Sequence, residues 1–99
     1  MENISAKHFY ERLNKHPELM ILDVREPWEF EEGHIEGAVN IPLGDIQRYD
    51  GDKAIPVYVI CRSGGRSLKA CYILVGKGYH PINIEGGMLG YEEEKRKHS

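Results

Sequence analysis

Two continuous apolar runs, Leu19-Met20-Ile21-Leu22 and Val57-Tyr58-Val59-Ile60, constrain the fold of this chain more than any other feature. A strand with one wet face alternates polar and apolar residues. A strand buried on both faces does not. Runs of the second kind belong to parallel sheets covered by helices. Pro56 to Ile60 is the clearest of them, being β-branched and aromatic without polar interruption. Ala38-Val39-Asn40-Ile41, closed by Pro42, and Ile82-Asn83-Ile84 read as two further short strands.

Helical segments stand between and around these strands. Ser5 is placed to cap a short helix with Phe9, Leu13 and Ala6 on its apolar face, and Pro17 blocks its continuation. Glu26 to Glu32 forms a short helix with Pro27 in its first turn and Gly33 as its stop. Leu43 to Tyr49 fits one or two helical turns, and Asp50-Gly51-Asp52 a turn. Leu68, Cys71, Tyr72 and Val75 recur at helical spacing, which predicts that they form the core-facing side of a helix ended by Gly76 or Gly78. Gly86-Gly87 turns into a last helix from Met88 to about Lys95, with a frayed tail beyond. The expected fold is α/β: residues 1–99 as one small doubly wound domain, with a mainly parallel five-stranded sheet and helices on both faces.

Composition excludes several classes. A net charge of −3 is no footprint of a general nucleic-acid binder, so no nucleic acid is expected as partner. No apolar run reaches ~18 residues, so no membrane span is expected. Met1 to Leu13 is charged throughout and lacks the apolar stretch of a signal peptide, and the expected location is cytoplasmic. Two cysteines make no disulfide framework.

The cysteines therefore matter one by one. Cys61 ends the Val57–Ile60 strand and opens the loop Cys61-Arg62-Ser63-Gly64-Gly65-Arg66-Ser67, which leads into a helix. In parallel sheets, sites form beyond the carboxyl ends of strands. The thiolate is the nucleophile, and a free thiol of pKa ~8.5 is mostly protonated near neutrality. Lowering that value by two units takes ~2.7 kcal/mol of preference for the anion. A helix N-terminus supplies ~0.3–1 kcal/mol, and ~2 when partly buried. Backbone N–H groups from Ser63 to Ser67, curled around the sulfur, are expected to supply the rest as charge-assisted hydrogen bonds. Gly64 and Gly65 permit the turn. Arg62 and Arg66 add positive charge for an anionic substrate, Arg66 with the stronger claim because it sits at the mouth of the helix. No histidine base is needed. Cys71, among apolar residues at helical spacing, reads as core, and disulfide Cα atoms must approach to ~4.4–6.8 Å, which a helix beginning between the two cysteines disfavours.

Taken together, these motifs resemble the single-domain rhodaneses, a family of sulfurtransferases. The Cys61–Ser67 loop is similar to the family's active-site loop. Leu22-Asp23-Val24-Arg25, Glu29-Phe30 and Gly33-His34-Ile35-Glu36-Gly37-Ala38-Val39-Asn40-Ile41-Pro42 resemble its N-terminal signature, and Glu85-Gly86-Gly87 with Tyr91 its closing motif, where tryptophan is frequent. The resemblance implies that Cys61 accepts a sulfane sulfur and passes it to cyanide, a thiol or a protein. It also implies a persulfide held by loop N–H groups, without metal or cofactor. Arg62 and Arg66 would orient a small anionic donor such as thiosulfate, and a protein sulfur donor or acceptor is a further possible partner. A monomer or weak dimer is expected.

Asp23 and Arg25 flank a strand end and are expected to bond each other or nearby backbone, supporting the pocket. His34 follows a helix end with no second ligand at metal spacing, and reads as structural. Trp28 and Phe30 fit either packing or a substrate rim. Three rival functions remain: a Cys-based phosphatase or arsenate reductase, a non-enzymatic binding module, and a persulfide carrier. The first commonly uses Cys-x5-Arg, whereas Cys61 to Arg66 is the tighter Cys-x4-Arg, suited to one sulfur atom. The second often lacks the cysteine.

Overall fold

The computed structural model describes residues 1–99. Five short strands form one parallel sheet: β1 Glu2–Ser5, β2 Met20–Asp23, β3 Val39–Asn40, β4 Val57–Ile60 and β5 Pro81–Glu85. Their spatial order is β1-β5-β4-β2-β3. Three α-helices, α1 Ala6–Lys15, α2 Pro27–Glu32 and α3 Gly65–Gly76, and a 3-10 helix at Leu43–Arg48 connect them, and a fourth α-helix, α4 Gly87–Lys97, follows β5. The fold is the expected doubly wound α/β sheet. No helix is long and apolar enough to cross a membrane.

Strand pleating divides the core in two. Leu22, Val57, Val59 and Cys61 pack with Ile46, Ala70, Cys71 and Leu74 on the side of α3 and the 3-10 helix. Ile21, Tyr58, Ile60, Ile82 and Ile84 pack with Phe9 and Met88 on the side of α1 and α4. All four β4 side chains are buried, the pattern its unbroken apolar run predicts.

Local signals placed the helix starts well. Ser5 caps α1, its Oγ accepting the His8 N–H at 3.1 Å. Glu26 and Glu29 form a reciprocal capping box at α2, with Pro27 first in the helix. Tyr91 stands 6.0 Å from Phe9 and 5.8 Å from Tyr10 between ring centroids, tying α4 to α1.

Several expectations need correction. The strand β1 has no periodic signal in its four residues, of which only Ile4 is buried, and pairing with β5 makes it a strand. The turn falls later than Asp50–Asp52: Ile55 N–H donates to Asp52 O at 3.2 Å, and Ala54 N–H to the Asp52 carboxylate at 2.9 Å. The helix α4 runs to Lys97, two residues beyond the expected Lys95.

The buried face of α3 is also different. Ser67, Ala70, Cys71 and Leu74 face the sheet, while Leu68, Tyr72 and Val75 are 37%, 64% and 50% exposed. Cys71 is core as expected, but not with the neighbours predicted for it. Small residues at 67 and 70 let α3 lie close to the sheet where Cys61 sits. Ser67 can be buried because its hydroxyl finds partners there.

Candidate active site

The site forms where β4 stops. Cys61 is 1% exposed, and its carbonyl and that of Arg62 accept N–H groups from the start of α4: Met88 N–H at 2.8 Å and Leu89 N–H at 3.1 Å. This close approach requires Gly87. Its φ is +55°, and a Cβ there would lie 2.5 Å from Cys61 O and 2.6 Å from Arg62 O. Gly64, at φ +120°, turns the chain into α3.

That turn brings donors to the sulfur. Gly64 N–H donates to Cys61 Sγ at 3.0 Å, and the thiol in turn donates to Ser67 Oγ at 3.4 Å. Burial is the largest influence on the thiol and opposes ionisation. The Ser67 hydroxyl and the backbone N–H groups of Ser67, Gly64 and Ser63 together outweigh it, so the Cys61 pKa lies below the ordinary thiol value. Backbone N–H groups between Ser63 and Ser67 were expected around the sulfur, and the Ser67 hydroxyl contributes as well. Cys71 shows the opposite balance: burial, then the nearby Cys61 charge, push its thiol up to about 12. It stays protonated near neutrality and is a poor resolving nucleophile.

The three arginines differ sharply. Arg66, from the first turn of α3, is held by Glu29 of α2, with Nη1 to Oε1 at 2.6 Å and Nη2 to Oε2 at 2.9 Å. The Arg66 hydrogen bond holds the Glu29 carboxyl at about 2, against the cost of burying it. Arg25 Nε and Nη2 bind the buried Asp23 carboxylate at 2.9 and 2.8 Å, and Nη2 also donates to Gly33 O at 2.8 Å. Asn40 Nδ2 closes this corner, donating to Asp23 O and Arg25 O at 3.0 Å each. Arg62 is exposed, makes no ion pair, and lines a surface groove with Arg25, Trp28, Glu32, Leu89 and Glu92. Ser63 and Gly65 are exposed, and Gly64 is half-buried, along the loop.

Other marked residues lie apart from the sulfur. His34 stacks on Phe30 with ring centroids 3.7 Å apart, and its Nδ1 lies 2.7 Å from Phe30 O. A separate hollow beside Gly33, His34, Tyr91 and Arg96 contains no loop residue. Trp28, 63% exposed, stands on the groove rim.

Sequence reasoning missed two residues that act on the loop. Glu29 takes up Arg66, and its signal was the Glu26-x-x-Glu29 capping box, a carboxylate held on a helix of six residues. Asn83 receives the Ser67 hydroxyl at 2.7 Å, and its signal was an amide between two isoleucines of a buried strand.

Comparison with known proteins agrees with this architecture. The family model described as Rhodanese-like domain matches residues 5–94. YtwF of Bacillus subtilis is 41% identical, over 97% of this chain and 95% of the relative. The thiosulfate sulfurtransferase PspE of Escherichia coli is 35% identical, over 68% of each chain. The crystal structure of a rhodanese-like domain protein from Staphylococcus aureus superposes with a TM-score of 0.86 at 30% identity, covering 92% of this chain and 91% of that one.

Proposed function

The chain belongs to the rhodanese-like domain family, and from that premise we propose that it is a sulfurtransferase carrying a sulfane sulfur as a persulfide on Cys61. The observation that carries this reading is the Gly64 N–H aimed at Cys61 Sγ from 3.0 Å, beneath the start of α3, with the thiol shifted toward its anion.

The steps balance without an added proton. The Cys61 thiolate attacks the outer sulfur of thiosulfate, the S–S bond breaks, and sulfite leaves with the electron pair. The persulfide anion then rests against the loop N–H groups. Cyanide or a thiolate attacks its outer sulfur, and the electron pair of the breaking S–S bond returns to Sγ. With cyanide the products are thiocyanate and the starting thiolate. Ser63, Gly64, Gly65 and Ser67 supply backbone donors to the anion, and Arg62 and Arg66 the positive field for the donor. Asp23 and Arg25 brace the neighbouring strand end.

One observation favours a second kind of donor. Two of the three arginines are already paired within the chain, leaving Arg62 as the free cation of a groove that also carries Glu32 and Glu92. This charge balance suits a small organic persulfide or a protein persulfide better than a dianion.

Intact-protein mass spectrometry after treatment with thiosulfate, and separately with a small persulfide, tests the reading. A species one sulfur heavier, mapped to Cys61, is expected in the wild type and in Cys71→Ser but not in Cys61→Ser. Thiocyanate formation should follow the same pattern. No adduct from either donor would leave a sulfur-free binding role as the better account.

A further inference from the structure

We propose that Asn83 is a positioning residue for sulfur transfer: its side-chain oxygen holds the Ser67 hydroxyl while Cys61 Sγ is neutral and yields it to Sγ when the thiolate forms. This rests on the reading of Cys61 as the sulfur-carrying nucleophile.

Ser67 has one hydroxyl proton and three acceptors around it. Its Oγ lies 2.7 Å from Asn83 Oδ1, 3.0 Å from Gly64 O and 3.4 Å from Cys61 Sγ. The shortest contact is to Asn83. Ile82 and Ile84 enter the core beside α1 and α4, so pleating turns Asn83 to the opposite face, under α3. There Asn83 is 5% exposed and Ser67 fully buried. Asn3 stands level with Asn83 on the adjacent β1, and Asn83 Nδ2 donates to Asn3 Oδ1 at 3.1 Å. This second bond orients the amide: the nitrogen faces Asn3 and the oxygen faces Ser67.

Charge moves on and off Sγ during the reaction, and the hydroxyl follows it. In the thiol, S–H donates to Ser67 Oγ, and Ser67 donates to Asn83. A thiolate only accepts, so the Ser67 proton turns to Sγ and Asn83 Oδ1 loses its donor. In the persulfide anion the charge sits on the outer sulfur, Sγ is neutral, and the hydroxyl returns to Asn83. When an acceptor takes the outer sulfur, the electron pair of the S–S bond returns to Sγ and the hydroxyl swings back. Asn83 thus competes with the thiolate for one proton donor. The competition keeps the sulfur from being over-stabilised, and an attacking thiol works best when its pKa lies near ambient pH.

The charged neighbours stand outside this chain of bonds. They are Arg62 and Arg66 of the loop, Glu29 and Glu26 behind Arg66, Asp23 at the end of β2 with Arg25 just beyond it, and Glu92 of α4, which acts on Arg25; the Cys71 thiol of α3, pushed up to about 12, stays neutral. Substitution at position 83 leaves all of them in place.

The test is the pH dependence of iodoacetamide alkylation, read on the Cys61 peptide by mass spectrometry so that Cys71 does not contribute. Asn83→Leu should move the inflection to lower pH, with alkylation about two- to fourfold faster at a pH below the wild-type inflection. In a Ser67→Ala background, Asn83→Leu should have no such effect, because no hydroxyl remains to compete for. Asn3→Ala, at an exposed edge position, should shift the inflection the same way by less, and it decides the matter if Asn83→Leu does not fold. A purely structural Asn83 would lower the melting temperature and leave the inflection in place, which overturns the proposal. So would a shift to higher pH, which would make the amide a donor to Ser67. Absence of a sulfur adduct on wild-type Cys61 would instead overturn the functional reading, while the titration still judges Asn83.

Discussion

Glu29 neutralises part of the positive charge that the loop carries. It is 8% exposed and grips Arg66 through both carboxylate oxygens. An anionic donor must compete with that carboxylate, since a bidentate arginine pair uses the donors a second anion would need. Glu29→Gln should therefore lower the KM for thiosulfate by about three- to tenfold, as one charged hydrogen-bond competitor is removed. A persulfide donor that carries no carboxylate or sulfonate, and so is charged only at its terminal sulfur, should respond less. Steady-state kinetics with both donors decides this, and a raised KM for thiosulfate would mean that Arg66 needs Glu29 to hold its position. The thiol itself carries a pH signature. With its pKa below the ordinary thiol value, Cys61 should stay reactive at pH values where free cysteine is protonated, and activity should fall only as pH drops through the lowered value.

Among the elements, α3 and α4 decide whether the loop keeps its shape. The start of α4 holds the Cys61 and Arg62 carbonyls by backbone N–H groups, and a side chain at Gly87 would collide with both. Gly87→Ala should cost about 1–3 kcal/mol in strain and abolish most sulfur transfer, because the helix start must move off the loop. Urea denaturation and the thiocyanate assay read the two effects separately. For α3, burial predicts a clear contrast. Leu74→Ala should destabilise by about 2–5 kcal/mol, whereas Tyr72→Gln should stay within about 0.5 kcal/mol of wild type. The helical period of Leu68, Tyr72 and Val75 was legible in the sequence, but its direction was not. A period gives the faces of a helix, and the neighbouring sheet chooses among them. Here a hydroxyl with buried partners outcompeted larger apolar residues for the inner face.

At the scale of the molecule, ion pairs tie the loop and α2 to the rest of the sheet. Arg66–Glu29 joins α3 to α2, and Arg25–Asp23 with the Gly33 carbonyl joins the end of α2 to β2. Glu29 is held at about 2 in the folded chain against an ordinary 4.5. Its folded pKa is depressed, so its stabilising contribution is complete above the ordinary value and is lost as pH falls from about 4.5 through about 2. The thermal midpoint of the wild type should fall across that window, and Glu29→Gln should lack this component of the fall. Differential scanning calorimetry at stepped acid pH measures it.

The sequence by itself determined the parallel sheet, the order of its helices and the position of Cys61. Unbroken apolar runs, capping residues and a glycine-bearing loop are local signals, and each acts through the backbone of its own segment. Those signals also carried the family resemblance. Only the tertiary structure decided that β1 is a strand, that Arg66 is taken up by Glu29, that Asn83 reaches Ser67, and which side of α3 is buried. Each of these is a contact between segments far apart in the chain. A one-dimensional pattern records which residues are able to pair, and the packing of helices on the sheet selects which of them do.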